Sequence, residues 1–410
     1  MSEPVTAEAR TEVASTAAVP IAVISGLFIA SLAMRPQILA IGPLLPFIRD
    51  DLGLPAGVAG LLTTIPVLCM GLFAPVGPRL AARFGAGRAF VMCLSTIVGF
   101  GLLRAFAPGV PLVLAATLGI GIGIGSAGAI PSMIVSRRLP TRPAMGTGAY
   151  AGGIVAGSTL ASGLAVPLAV DEDWRRALLI ISLASIGSIV AWIVLVGLGG
   201  RPGARHARRL PWRSGTAWLL ILVFGLQSVL FYGIVSWLPN VMVERGWDPA
   251  QAGALVAVFN GIGLLTTIGV PLVADRIGGS RRRQLIASAA TSVVGLAGIA
   301  TAPDLAFFWV TFLGLSLGAI FPLVLTLPLD VADDPARVGS VAAMMLLGGY
   351  VLSSLGPVAL GAARDLTGNF GASEWILVVV AIVEVIACMP LSPSRLRRGI
   401  QRDVVVTAGP

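Results

Sequence analysis

Arg35 is the one charge in about 27 residues between Pro20 and Pro46, inside the stretch "SLAMRPQILA". A guanidinium stays charged and presents a rigid fork of donors suited to planar carboxylate-like or linear anionic groups. The first half of the chain has no acid at comparable depth in its apolar runs to answer it. Pro36 lacks an amide hydrogen, so it frees a carbonyl one turn earlier and is expected to bend the helix. Two roles are open for Arg35: contact with a ligand, or a structural bond to freed carbonyls, hydroxyls or a remote acid.

Few other residues offer chemistry. Glu384 is the one acid well inside an apolar run, either a hydrogen-bonded structural group or a carboxyl kept neutral by burial and able to carry a proton. The only histidine, His206, lies in an Arg-rich connection and reads as solvated. Cys69, Cys93 and Cys388 lie in apolar segments without metal-ligand spacing, so neither a disulfide nor a metal is expected. "GIGSAG" (123–128) fits a dinucleotide fingerprint in letters only, because no strand precedes it. Gly119, Gly121, Gly123 and Gly125 instead form overlapping GxxxG pairs that let helices approach closely. No nucleophile is paired with a base, and no acids and histidines cluster, which weighs against an enzyme and against a bound cofactor.

The elements that hold these residues are apolar helices. Mean hydropathy is +0.93, with 56% hydrophobic and 11% charged residues, far below the roughly 25% charge of soluble domains. Twelve runs are long enough to cross a bilayer: 20–48, 56–77, 88–107, 109–136, 144–169, 175–198, 214–242, 250–273, 284–301, 304–329, 337–363 and 374–392. They are continuously apolar, not alternating, so helices are expected and a barrel is not. The net charge of +9 comes from arginine alone, since the chain has no lysine. Twenty-one of the 28 arginines fall on one side of the bilayer, which sets topology instead of indicating nucleic acid. Both termini are expected in the cytoplasm, and residues 1–18 lack the basic start of a signal peptide.

The polar break "GGRPGARHARRLPWRSG" falls at the midpoint of the chain. Residues 60–88 align without a gap on 253–281, with eight of 29 positions identical, and "GAIP" (128–131) echoes "GAIFP" (318–322). The predicted architecture is an all-α polytopic membrane protein, twelve transmembrane helices in two six-helix bundles. Its expected divisions are residues 1–198, a cytoplasmic linker at 199–213, and 214–410 with a basic tail.

That organisation resembles the major facilitator superfamily. Pro271, Ala274, Asp275, Arg276, Gly278 and Arg281 to Arg283 are similar to its signature loop between the second and third spans of a half. The first-half copy, "PRLAARFGAGR", keeps Arg83 and Gly85 but has Ala82 in place of the acid. The resemblance implies a gate in which Asp275 meets the amino end of the fifth span, favoured by the helix dipole; the alternative is a solvated cluster serving topology. "RPQILAIGPLLPFIRDDLGL", "AGLLTTIPVLCMGLFAP" and "LQSVLFYGIVSWLP" are similar to the cyanate and nitroimidazole transporter family.

In such a fold the first, fourth, seventh and tenth spans chiefly line the centre, with the second, fifth, eighth and eleventh beside them. The resemblance therefore adds Gln37, Tyr150, Gln227, Tyr232 and Asn260 to Arg35 as candidate contacts, with Thr63, Thr64, Ser126 and Tyr350 at similar depth. It implies a monomeric carrier in the cytoplasmic membrane, working by alternating access on a small solute. An anion is expected; a neutral nitroimidazole-like heterocycle is the alternative, and a receptor or scaffold the alternative from another class.

Overall fold

The computed structural model describes residues 21–54, 56–199, 209–277, 280–332 and 334–392. Eleven helices are long and apolar enough to cross a membrane, and a bent pair, Leu61–Leu72 with Val76–Phe84, makes a twelfth span. In chain order the others are Ile21–Leu45, Ala86–Ala105, Val110–Arg138, Pro143–Leu168, Trp174–Leu195, Gly215–Glu244, Pro249–Ile277, Arg281–Thr301, Ala306–Val331, Pro335–Thr367 and Gly371–Cys388. The chain is thus a multi-pass membrane protein built as two six-helix bundles. The polar amino terminus, most of the linker with His206, and the basic tail lie outside the described residues.

Prolines interrupt the first bundle where backbone donors are missing. Span one breaks over residues 32–35, resumes as a four-residue helix, Pro36–Leu39, and turns again at Ala40. Arg35 sits at that break with φ −123° and ψ −8°, the bend expected from Pro36. Span two does not end near residue 77 as its apolar run suggests. It bends by 58° and continues to Phe84, because the amphipathic stretch after Pro75 still closes helical turns. Span four breaks at Gly128 and Ala129, just before Pro131.

Glycine sets the helix spacing around span four. A β-carbon on Gly125 would lie 2.3 Å from the Cys69 carbonyl oxygen, and one on Gly121 would lie 2.7 Å from Cys69 Cβ. Spans two and four therefore meet backbone to backbone, as small residues allow in lipid.

Between the bundles, span five packs on spans eight and ten, and span eleven packs on spans two and four. Contact is tight where the arginine-rich loops lie: a β-carbon on Gly339 would come within 2.5 Å of Met133 Sδ. At the opposite end, arginines are held inside single bundles. Arg175 bonds Asp51 at 2.5 Å, Arg245 bonds Glu374 at 2.6 Å and Arg364 reaches Glu244 at 3.4 Å.

Candidate functional site

The break in span one aims Arg35 across the bundle boundary. Its Nη2 donates to the Tyr350 hydroxyl on span eleven at 2.5 Å. Its guanidinium carbon lies 5.7 Å from the centre of the Phe321 ring on span ten, within cation–π range. Among the described residues Nε and Nη1 have no protein partner, so much of the fork is left for a ligand.

Arg35 forms one wall of a central cavity of about 520 Å³, its open mouth included. Apart from Arg35 and Val155, the described residues lining it come from the second bundle. Gln227, Tyr232 and Asn260 are there, as the sequence leads one to expect, with Tyr350 beside Arg35. The Gln227 carbonyl oxygen accepts from Ser228 at 3.3 Å, while the Asn260 amide donates to the Val256 carbonyl at 3.0 Å. The Tyr232 hydroxyl has no partner among the described residues, and its ring packs edge-on against Phe231, centroids 5.4 Å apart. Arg35 is the one charged side chain among the lining residues, so nothing there neutralises it.

Tyr150 is not in that cavity. Its hydroxyl pairs with Ser132 at 3.1 Å and donates to the Leu325 carbonyl at 3.5 Å. It faces a second, mostly apolar space of about 390 Å³, lined also by Met34, Met70 and Leu346. Arg35, Phe321 and Tyr350 border both spaces, so these three side chains form the partition between them.

Gln37 is drawn elsewhere. It is fully buried, its amide donates to Ser182 at 2.8 Å, and its carbonyl groups accept from Arg104. It lies two residues past Arg35, where the resumed helix turns it away from the cavity toward spans three and six. Glu384 is fully buried in span twelve, also away from the cavity, and neither carboxyl oxygen has a partner among the described residues. The hydrogen bond expected of a structural glutamate is therefore not present there.

Of the signature loops, Arg83 is exposed and lies over Phe84 at 5.2 Å. Gly85 starts span three with φ +87°, a conformation that other residues adopt only with strain. Asp275 and Arg276 fall in the last turn of span eight with side chains outside the described part, and Gly278 lies outside it altogether.

Sequence reasoning passed over the cavity aromatics Phe231, Phe259 and Phe321, since apolar rings in apolar spans look like core or lipid contacts. One signal was available for Phe321, which stands inside the "GAIFP" echo of span four.

Two six-helix bundles around a central cavity that holds one charge among aromatic and polar groups define a carrier that alternates its access. The Major Facilitator Superfamily profile matches residues 23–357, and the chain belongs to that superfamily. It is 29% identical over 370 residues to the uncharacterized transporter YycB of Bacillus subtilis 168, covering 88% of this chain and 90% of that protein. It is 29% identical over 356 residues to the 2-nitroimidazole transporter of Escherichia coli K12, covering 85% and 90%. It is also 29% identical over 363 residues to the cyanate transport protein CynX of the same strain, covering 87% and 93%. Among solved structures, the proton:xylose symporter XylE superposes with a TM-score of 0.75 at 13% identity, over 90% of this chain and 95% of that one, a likeness of fold alone. The protein is a secondary transporter that moves a small solute by alternating access.

Proposed function

We propose that the solute is a small anion, bound at Arg35 and carried through the cytoplasmic membrane. The observation that carries this reading is the single uncompensated positive charge in a cavity otherwise lined by aromatic and neutral polar groups. A half-buried guanidinium at membrane depth without an acidic partner is costly, and an anion that desolvates with it relieves that cost. Gln227, Tyr232 and Asn260 would orient the bound group from the second bundle, with Tyr150 serving the inner space. Cyanate and 2-nitroimidazole, the solutes named for two relatives, are both small, one linear and one flat, which agrees with the likeness of three sequence stretches to that family.

The neutral-heterocycle reading also has a specific support. Phe231, Tyr232, Phe259 and Phe321 wall the cavity, and a flat ring stacks on such faces. Arg35 would then act as a hydrogen-bond donor.

We place the arginine-rich loops and both termini in the cytoplasm, by charge bias. The tight packing at Met133 and Gly339 then belongs to a conformer closed on that side. Asp275, Arg276 and Gly278, with Arg83 and Gly85 in the other bundle, are proposed as the gate at that end. Monomeric action and the division at 199–213 complete this reading.

Uptake of labelled cyanate or nitrate into proteoliposomes, at imposed membrane potentials of both signs, tests it. Flux that follows the potential supports an anion. Azole flux indifferent to potential, with no anion flux, supports the heterocycle.

A further inference from the structure

We propose that Arg104 is a positioning residue for Arg35, acting through the backbone and side chain of Gln37. Arg104 stands in the last turn of span three and is fully buried. Its Nη2 donates both to the Gln37 backbone oxygen, at 2.6 Å, and to Gln37 Oε1, at 2.8 Å. Gln37 passes the connection on, donating to Ser182 Oγ at 2.8 Å, and Ser182 donates to the Leu178 carbonyl at 2.7 Å. Spans three, one and six are thereby tied at a single point.

That point is where span one needs outside support. The Pro36–Leu39 helix is four residues long, lies between two breaks, and has no side-chain cap from Arg35. One short turn cannot hold itself, since a lone turn fixes many dihedrals for few hydrogen bonds. Whatever fixes Gln37 also fixes the direction in which the adjoining backbone presents Arg35 to the cavity. Gly101 makes room for this arrangement: a β-carbon there would lie 2.9 Å from Gln37 Cδ and 2.8 Å from Ser182 Oγ.

Arg104 is ill suited to being mere packing. No acid answers it among the described residues, and its Nε and Nη1 have no hydrogen-bond partner there. The two hydrogens of one nitrogen, Nη2, thus serve a backbone oxygen and a side-chain oxygen of the same residue, a geometry that an ammonium at the end of a lysine copies only in part. The binding arm of the test below rests on Arg35 being the anion anchor; the exchange arm does not.

The variants are Arg104→Gln, Arg104→Lys, Arg35→Gln alone for the exchange arm, and Arg104→Gln in an Arg35→Lys background for the binding arm, with Gln37→Leu as a milder cut should Arg104→Gln fail to fold. Hydrogen exchange over residues 36–44 of the apo protein in nanodiscs is expected to accelerate in Arg104→Gln and not in Arg35→Gln. Nitrate affinity is expected to fall about tenfold or more in Arg104→Gln, the order of one lost charge-assisted hydrogen bond. Arg104→Lys is expected to recover part of it, and the Arg35→Lys background, which keeps weakened binding, to show a smaller further loss, the coupling expected of groups that act through one another. Unchanged exchange at 36–44, or an equal affinity loss in the wild-type and Arg35→Lys backgrounds, would overturn the proposal. Faster exchange in a protein that binds no nitrate even as wild type would keep the brace and sink the anion reading instead.

Discussion

Arg35 and Tyr350 are 315 residues apart in sequence and 2.5 Å apart in space, a bond from span one of the first bundle to span eleven of the second. The Tyr350 hydroxyl accepts from Arg35, and its own hydrogen finds no acceptor among the described residues. A bound anion can therefore receive from both groups. Tyr350→Phe is expected to weaken nitrate or cyanate binding by about tenfold, near 1.4 kcal/mol, without abolishing it. Calorimetric titration checks this; unchanged affinity would mean that the tyrosine only parks the arginine.

The contact of Gly339 with Met133 holds the bundles together at the arginine-rich end. Gly339→Leu should wedge them apart and shift the population toward the conformer open on that side. Labelling of a cysteine introduced at Leu346, beside the inner space, is expected to quicken. Cys69, Cys93 and Cys388 are buried and give a low background.

Neither carboxyl oxygen of the fully buried Glu384 has a hydrogen-bond partner among the described residues. Such a group costs about 1 to 3 kcal/mol, so Glu384→Leu is expected to raise the melting temperature and leave transport intact. Lost pH dependence of transport with no gain in stability would make it a proton carrier.

Asp51 lies past the end of span one, and the hydrogen bond from Arg175, joined by Trp174, holds its carboxyl below the usual carboxylate value. A depressed folded value means the stabilisation is present above the unfolded value, about 3.9, and disappears as pH falls through the folded one. The pair is exposed enough that its contribution should stay under about 1 kcal/mol. Melting of wild type and Asp51→Asn should differ by a constant amount from pH 7 to 5, then converge in stronger acid.

Much of this architecture is legible in the residues because lipid allows so few solutions. Long apolar runs must close their own hydrogen bonds, so every span but the bent second one falls within a few residues of expectation. Pro36 announces the break in span one by its missing amide hydrogen. The site is less legible because pairing across bundles leaves no mark on local sequence: nothing around Tyr350 points to Arg35. Gln37 misled for a related reason. Its depth was right, but the turn after Pro36 rotates it toward Arg104, a rotation that residue type does not encode.

Anion binding depends above all on the charge at position 35. Thermal stabilisation of purified wild type, Arg35→Lys and Arg35→Gln by nitrate and cyanate measures it directly, since ligand at 100 times its Kd stabilises by about 2.7 kcal/mol. The expected result is a clear shift in wild type, a reduced one in Arg35→Lys and none in Arg35→Gln. Equal anion stabilisation of all three proteins, or stabilisation by neutral azoles alone, would contradict it.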